Sequence, residues 1–200
     1  MRVTTDQLHQ SGENPRTTRV RHIILDAATD LLFREGASAL TAVRIAEETG
    51  VARTTIYRHW LNHTALLLDT IDRVVSPHVP TSITDHLEAD LTTALSNLRM
   101  RMTKKPFRII FAALLDHANR NRKAVDAQRR FVNGVLQPIH DILTNAKGRG
   151  VLPSTVDVET AGAQLAGPLF FQHVMLRIAI SDRLIKQTIA RFLYQMGEIG

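Results

Sequence analysis

The 200-residue chain has no cysteine, which excludes disulfide bonds, thiolate nucleophiles and cysteine-ligated zinc or iron–sulfur sites. Its apolar runs, such as "RIIFAALL" and "AGPLFF", are far shorter than the ~18 residues that a membrane-spanning helix needs. The N-terminal "MRVTTDQLHQSGENPRTTR" lacks an apolar signal core. We therefore expect a cytoplasmic protein with no membrane partner and a flexible polar arm over residues 1–15.

The first part of the chain also lacks net charge, although the whole protein carries +6. Residues 1–75 contain nine basic and nine acidic side chains, whereas residues 76–200 contain sixteen basic and ten acidic ones. Global charge therefore does not identify a nucleic-acid-binding segment in the first part. Any such argument depends on where individual side chains lie.

What the chain does have is helical periodicity along nearly its whole length. Apolar residues at the i, i+3, i+4, i+7 spacing predict a first helix from about Pro15 or Thr17 to Glu35, and Gly36 ends it. Later helices are expected over about 62–75, 84–103, 106–119, 123–147, 156–179 and 182–196. "FRIIF" alone is compatible with a strand, but no partner strand is evident. The expected fold class is all-α.

Two short helices follow the first one. Thr41 can cap a second helix that carries Val43 and Ile45. Gly50 closes this helix before a third begins near Ala52. Two short helices joined by a three- or four-residue turn with a central glycine are typical of a helix-turn-helix.

The third helix, within "TGVARTTIYRHW", has two different faces. At about 100° per residue, Ile56 and Trp60 lie on one side, and Thr54, Thr55 and Arg58 lie opposite. A major groove admits one α-helix, and its base edges are read by guanidinium and hydroxyl groups of this kind. Each charged residue alone is equally well explained as part of a solvated helix face. Their combination with the short preceding helix and the glycine turn favours DNA binding.

These residues resemble the N-terminal signature of TetR-family transcriptional repressors over about residues 20–70. The residues that carry the resemblance are Gly36, Leu40, Thr41, Val43, Ile45, Ala46, Gly50, Val51, Thr55, Ile56, Tyr57, Arg58, His59, Trp60, Leu66 and Leu67. The rest of the chain is similar to that family only in length and in the number and position of its helices.

The resemblance implies a homodimeric, all-helical repressor that uses no cofactor or metal. It would bind a palindromic double-stranded DNA operator and release it when a small, largely apolar effector enters the C-terminal domain. The implied domains are a three-helix helix-turn-helix domain over 16–62 and a larger helical effector-binding and dimerisation domain over 63–200. The expected DNA-binding residues are Thr41, Arg44, Arg53, Thr54, Thr55, Tyr57, Arg58, His59 and His63, with Arg16 and Arg19 of the first helix.

Two residues depart from the pattern of the resembled family. Ala52 stands where a serine commonly caps the recognition helix, and this loss is expected to cost ~1 kcal/mol of helix stability. His63 stands where a lysine usually begins the fourth helix and contacts phosphate. That contact would be lost or would depend on histidine protonation.

In the C-terminal half, the last two helices mix small and large apolar residues, as helices in close contact do. The resemblance assigns them to a dimer interface, and an intramolecular core of the same composition is the alternative. The residues expected at the interface are Gly162, Leu165, Ala166, Leu169, Phe170, Leu184, Ile185, Ile189 and Phe192.

An effector pocket should be mostly apolar with a few placed polar groups. The candidates that fit this description are Phe107, Phe111, Leu114, His117, Phe131, Val135, Phe171, His173 and Arg177. Ordinary core packing explains most of these side chains equally well.

The positive surplus is concentrated in "RMRMTKKPFR" and "NRNRKAVDAQRR". Basic side chains at solvated helix ends are one explanation, since cations favour C-terminal carbonyls. An anionic effector or an added attraction to the DNA backbone is the other.

Two further classes of function remain open from the sequence. His59 and His63 have the i, i+4 spacing of a metal site, but no acidic residue lies between them as a metalloprotease motif requires. No nucleophile elbow or phosphate-binding glycine loop is present, so we expect no enzyme activity. A helical protein-interaction module explains the C-terminal helices but not the polar face of the third helix.

Overall fold

The computed structural model describes residues 15–74 and 82–198, and every regular element in those two ranges is helical. The all-α class expected from the periodicity is confirmed. The helices are α1 (Pro15–Glu35), α2 (Ala42–Thr49), α3 (Arg53–His59), α4 (His63–Val74), α5 (Leu87–Thr103), α6 (Lys105–Ala118), α7 (Arg122–Gly148), α8 (Val158–Phe170) and α9 (Asp182–Glu198). No helix in the described ranges is both long enough and apolar enough to cross a membrane. The polar arm over 1–15 lies outside these ranges except for Pro15.

The first compact unit ends at Val74 and contains α1 to α4. Helix α1 packs against α2 and α4, and α2 packs against α3. Gly36 ends α1 with a φ of 91°, in the left-handed region that favours glycine. The side chains of α1 that form the middle of the core are fully buried, namely Ile24, Ala28, Leu31 and Leu32.

The boundary between the units differs from the one expected from the sequence. Helix α4, which the sequence assigned to the second domain, packs on α1 within the first unit. Its apolar side chains explain this position, because Leu66, Leu67 and Ile71 are buried there. Most of the connection between the expected helices over 62–75 and 84–103 falls in residues 75–81, outside the described ranges.

The second unit comprises α5 to α9, with α7 in contact with α5, α6 and α8. Helix α9 packs against α5 and α8. Helix α7 continues through Pro138, and "FRIIF" lies inside helix α6.

The eighth helix ends earlier than the sequence pattern predicts. A single helix over 156–179 was expected, but α8 stops at Phe170 and a π-helical turn follows from Phe171 to Met175. Pro168 lies three residues before that change and has no N–H to donate to the preceding turn. Arg177 then adopts a φ of 57°, which no helix can continue through.

Asp157 caps α8 and makes its stability sensitive to acid. Its carboxylate accepts a hydrogen bond from the Thr160 backbone N–H at 2.7 Å. Hydrogen bonds from Thr160, first from its side chain and then from its backbone, lower the pKa of Asp157. A carboxyl with a lowered folded-state pKa stabilises the fold above its unfolded pKa, and this stability is lost as pH falls through the folded pKa.

We expect Asp157→Asn to separate this acid dependence from the cap itself, since asparagine also caps helices well. The wild-type protein should have the higher thermal midpoint at pH 7, and the difference should shrink below about pH 4, where the free carboxyl protonates. Thermal unfolding of both proteins at pH 7 and pH 3 measures this. A difference that does not change with pH would contradict the assignment.

Candidate nucleic-acid and effector sites

The helix-turn-helix begins with a capped α2. The hydroxyl of Thr41 accepts a hydrogen bond from the Arg44 backbone N–H at 3.2 Å. Gly50 ends the helix at a φ of 69°, and its N–H donates to the Ala46 carbonyl. Cap and turn are therefore both local consequences of the sequence between residues 41 and 50.

Helix α3 buries one face and exposes the other. Ile56 and Trp60 are only 2% and 4% exposed, so they hold the helix against its unit. The helix starts without a side-chain cap, because Ala52 offers only its carbonyl to the N–H groups of Thr55 and Ile56. Arg53, Thr54, Tyr57 and Arg58 are exposed, and Thr55 and His59 are half-buried.

Three of the expected DNA-binding residues line one cavity of about 190 Å³ between α2, α3 and α4. They are Thr41, Tyr57 and His63, which come from three different helices or helix starts. Hydroxyl groups such as those of Thr41 and Tyr57 can contact phosphate oxygens, which sets the register of a protein on DNA without reading sequence.

Trp60 is held by an ion pair that sequence reasoning missed. The Asp69 carboxylate of α4 accepts a hydrogen bond from the indole N–H of Trp60 at 2.8 Å. The same oxygen accepts one from the Arg21 guanidinium of α1 at 2.6 Å, and that guanidinium lies 5.8 Å from the indole ring centre. Arg21 and Asp69 therefore join α1 and α4 to the tryptophan that follows α3.

Arg44 lies in an ion-pair network on the surface of the first unit. Its guanidinium is 2.6 Å from Glu35 and 4.0 Å from Glu48, and Arg34 is 2.7 Å from Glu48. The hydrogen bond that the Arg34 guanidinium donates to Glu48 is the main reason why the pKa of Arg34 is raised. To contact DNA, Arg44 has to exchange these carboxylates for a phosphate.

The two histidines of the i, i+4 pair have separate surroundings. The Nε2 of His63 donates a hydrogen bond to the Ala37 carbonyl at 2.8 Å. His63 therefore links the start of α4 to the turn after α1. The ring of His59 packs against Trp60, with ring centres 5.4 Å apart. Arg19 is exposed on α1, and the side chain of Arg16 lies outside the described part of the chain.

Several residues expected in the effector pocket pack on one another in the second unit. The Phe107 ring centre lies 6.0 Å from that of Phe111, 5.4 Å from that of Phe131 and 5.8 Å from that of Phe170. The sequence had assigned Phe170 to the dimer interface, but it joins this phenylalanine cluster. Leu114 and Val135 are also buried, and the Nδ1 of His117 donates to the Ala113 carbonyl.

The remaining pocket candidates belong to the π-helical turn and the segment after it. Phe171 is 58% exposed, Arg177 is exposed, and His173 is half-buried. The early end of α8 separates these three side chains from the regular helix on which the sequence had placed them.

Most of the expected interface residues are already covered within the single chain. Leu165, Ala166, Leu169, Ile185, Ile189 and Phe192 are buried in the core of the second unit. Gly162 faces His140 of α7, and a Cβ at this glycine would lie 2.5 Å from the His140 Nε2. Leu184 is half-buried and lines a groove of about 240 Å³ between α8 and α9.

Two family models match this chain. Residues 24–70 match the model of bacterial regulatory proteins of the tetR family. Residues 83–192, more than half of the chain, match the tetracyclin repressor-like C-terminal domain. The uncharacterized HTH-type transcriptional regulator YdeS of Bacillus subtilis (strain 168) is 26% identical over 176 residues, which are 88% of each chain.

Solved structures share the fold. The TetR family transcription regulator SCO0332 superimposes with a TM-score of 0.63 at 26% identity, over 88% of this chain and 97% of that one. A putative transcriptional regulator from Saccharomonospora viridis in complex with choline has a TM-score of 0.59 at 20% identity, over 88% of this chain and 96% of that one. With both family models matched in chain order, the protein belongs to the TetR family of transcriptional regulators.

Proposed function

We propose that the protein is a homodimeric repressor that binds a palindromic DNA operator through α3. The observation that supports this proposal is that α3 has two different faces. Ile56 and Trp60 are buried on one side, and Thr54 and Arg58 are exposed on the other. A helix held on one side and polar on the other fits a major groove, where an arginine can donate two hydrogen bonds to guanine. A repressor must lie in the same compartment as its DNA. For a bacterial-type regulator this agrees with the expected cytoplasmic location.

Homodimerisation follows from the geometry of DNA. Two recognition helices that read a palindrome must lie about one helical turn, ~34 Å, apart, and one chain has one such helix. The surface available for a second copy is the outer face of α8 and α9, where Gln164, Gln187 and Tyr194 are exposed. Light scattering should give twice the mass of the chain.

Release by a ligand would use the second unit. The phenylalanine cluster joins α6, α7 and α8, so a small, largely apolar molecule inserted among these rings would shift three helices at once. The choline complex of the related fold supports binding of a small molecule in this architecture. A gel-shift assay with candidate ligands tests release directly.

The reading of bases is tested by Arg58→Ala. Losing one arginine–guanine pair should weaken operator binding by about 1–3 kcal/mol, while binding to random DNA changes little. Fluorescence anisotropy with the protein's own upstream DNA and with a shuffled duplex measures both. Arg183→Ala, which removes another exposed arginine, from α9, is the matched control. An unchanged preference for the upstream DNA would remove Arg58 from the base-reading residues.

A further inference from the structure

Positive charge is concentrated in one stretch of the second unit. Residues 99–130 contain ten Lys and Arg against two Asp, a surplus of eight that exceeds the +6 of the whole protein. The first unit, which carries the helix-turn-helix, has equal numbers of acidic and basic residues up to residue 75. The surplus of positive charge in this protein therefore lies outside its helix-turn-helix unit.

Within the stretch, four cations meet where α5 passes into α6. Arg101 lies in the last turn of α5, Lys104 forms the junction, and Lys105 and Arg108 lie in the first turn of α6. We call these four side chains the junction patch. All four residues are exposed, although partial burial of the Arg101 guanidinium lowers its pKa. None of the four forms an ion pair with any residue in the described ranges.

Other arginines of the same unit are neutralised. Arg99, two residues before Arg101, pairs with Asp182 at 2.6 Å, and Arg149 pairs with Asp85 at 2.5 Å. No acidic residue occurs between Arg99 and Leu115, so the patch has no partner nearby in sequence.

Helix dipoles do not explain the patch. A cation is stabilised near the C-terminal end of a helix, which accounts for Arg101, but it is disfavoured in the first turn. Lys105 and Arg108 occupy the first turn of α6, which has no acidic residue and no side-chain cap. The uncapped N–H groups and the cations thus add to one positive potential instead of offsetting each other.

We propose that the junction patch is a second DNA-binding surface, which contacts the phosphate backbone without reading sequence. This inference rests on the proposed DNA-binding function. Exposed cations hold a single small anion weakly because water and salt screen the pair. A duplex, in contrast, has one charge per ~1.7 Å and releases condensed counterions when its phosphates are neutralised. Exposed, unpaired cations therefore favour DNA over a small anionic effector.

The test compares two double variants that lose the same charge. Lys104→Gln/Lys105→Gln removes half of the junction patch. Arg122→Gln/Lys123→Gln removes two exposed cations at the opposite end of α6, about 20 Å away by the rise of a 14-residue helix. That end also carries both acidic residues of the stretch, Asp116 and Asp126. Affinity for upstream and random duplexes is measured by anisotropy between 50 and 300 mM salt.

If both lysines contact phosphates, the slope of log K against log salt should fall by about 1.8, or 0.9 per contact. At 0.15 M salt this corresponds to roughly 30-fold weaker binding, equally for both duplexes, since phosphates carry no sequence. The Arg122/Lys123 variant should keep the wild-type slope. Equal losses in both variants would show an effect of net charge alone and would overturn the proposal.

Failure of this inference is distinguishable from failure of the proposed function. Suppose that the lysine variant keeps the wild-type salt slope while Arg58→Ala still loses its preference for the operator. That result would overturn DNA binding by the junction patch but would leave the repressor proposal standing. No binding of either duplex by the wild-type protein overturns both. Inorganic phosphate at constant ionic strength is a second probe, and displacement of DNA by millimolar phosphate would assign the patch to a small anion.

Discussion

Gly162→Ala is expected to destabilise the second unit by about 1–3 kcal/mol, as overpacking of a close helix contact does. The added Cβ would lie 2.5 Å from Nε2 and 2.6 Å from Cδ2 of His140. The His140 Nε2 is buried and has no hydrogen-bond partner among the described residues, so the ring is packed directly against α8. Either the ring or the helix must move to accept a methyl group.

Gly134→Ala provides the matched control. Gly134 lies inside α7, the helix that carries His140, and a Cβ there meets no atom within 4 Å. Replacing a helical glycine in open space should stabilise the helix by up to about 1 kcal/mol. Thermal or urea unfolding should therefore shift in opposite directions for the two variants.

A double variant identifies the cause. His140→Ala in the Gly162→Ala background should recover part of the lost stability, because the clashing ring is gone, and the two changes should be strongly non-additive. Additive effects would mean that Gly162 is sensitive for a reason other than His140.

Asp69→Ala should lower the free energy of unfolding of the first unit by about 2–3 kcal/mol. It removes a carboxylate that accepts hydrogen bonds from both Arg21 and Trp60, and bonds to charged groups contribute about 1.5–3 kcal/mol each before solvent screening. Arg21 and Asp69 are more than one third exposed, so solvent screening brings the expected loss below the ~3–6 kcal/mol that two such bonds would give without it. Because α3 is seated on Trp60, operator affinity should fall with stability.

Trp60 is the only tryptophan in the chain, so its fluorescence reports unfolding of the first unit selectively. Asp30→Ala, on the exposed side of α1, is the control. Trp60→Phe removes the indole donor together with part of a buried ring, so it should cost more than the ~1.5 kcal/mol of one hydrogen bond to a charged group. Because this variant has no tryptophan, circular dichroism follows its unfolding. Urea midpoints for Asp69→Ala and Asp30→Ala that agree within error would show that the ion pair does not hold α3.

The helix-turn-helix could be predicted from the sequence because its signals are local. A cap reaches three residues forward, from Thr41 to the N–H of Arg44, and a left-handed glycine such as Gly50 acts on the turn that contains it. The two faces of α3 follow from the helical period in the same way. Ile56 and Trp60 are buried as their positions on the wheel indicate.

The last two helices show where such reasoning stops. An apolar stripe indicates that some surface covers it, but not whether that surface belongs to the same chain. Leu165, Ile185 and Phe192 were expected to meet a second copy, and the chain's own helices bury them. A single helix over 156–179 was expected, yet the regular helix ends at Phe170 and a π-helical turn follows it.

The sequence by itself therefore determined the all-α class, the first helices with their cap and glycine turns, and the polar face of α3. Tertiary structure alone decided that Asp69 joins Arg21 to Trp60, that Glu35 holds Arg44, and that Phe107 meets Phe131 and Phe170. The physical reason is the distance along the chain over which each interaction acts. Helical period and capping act within a few residues, whereas these contacts join residues that only packing between helices brings together.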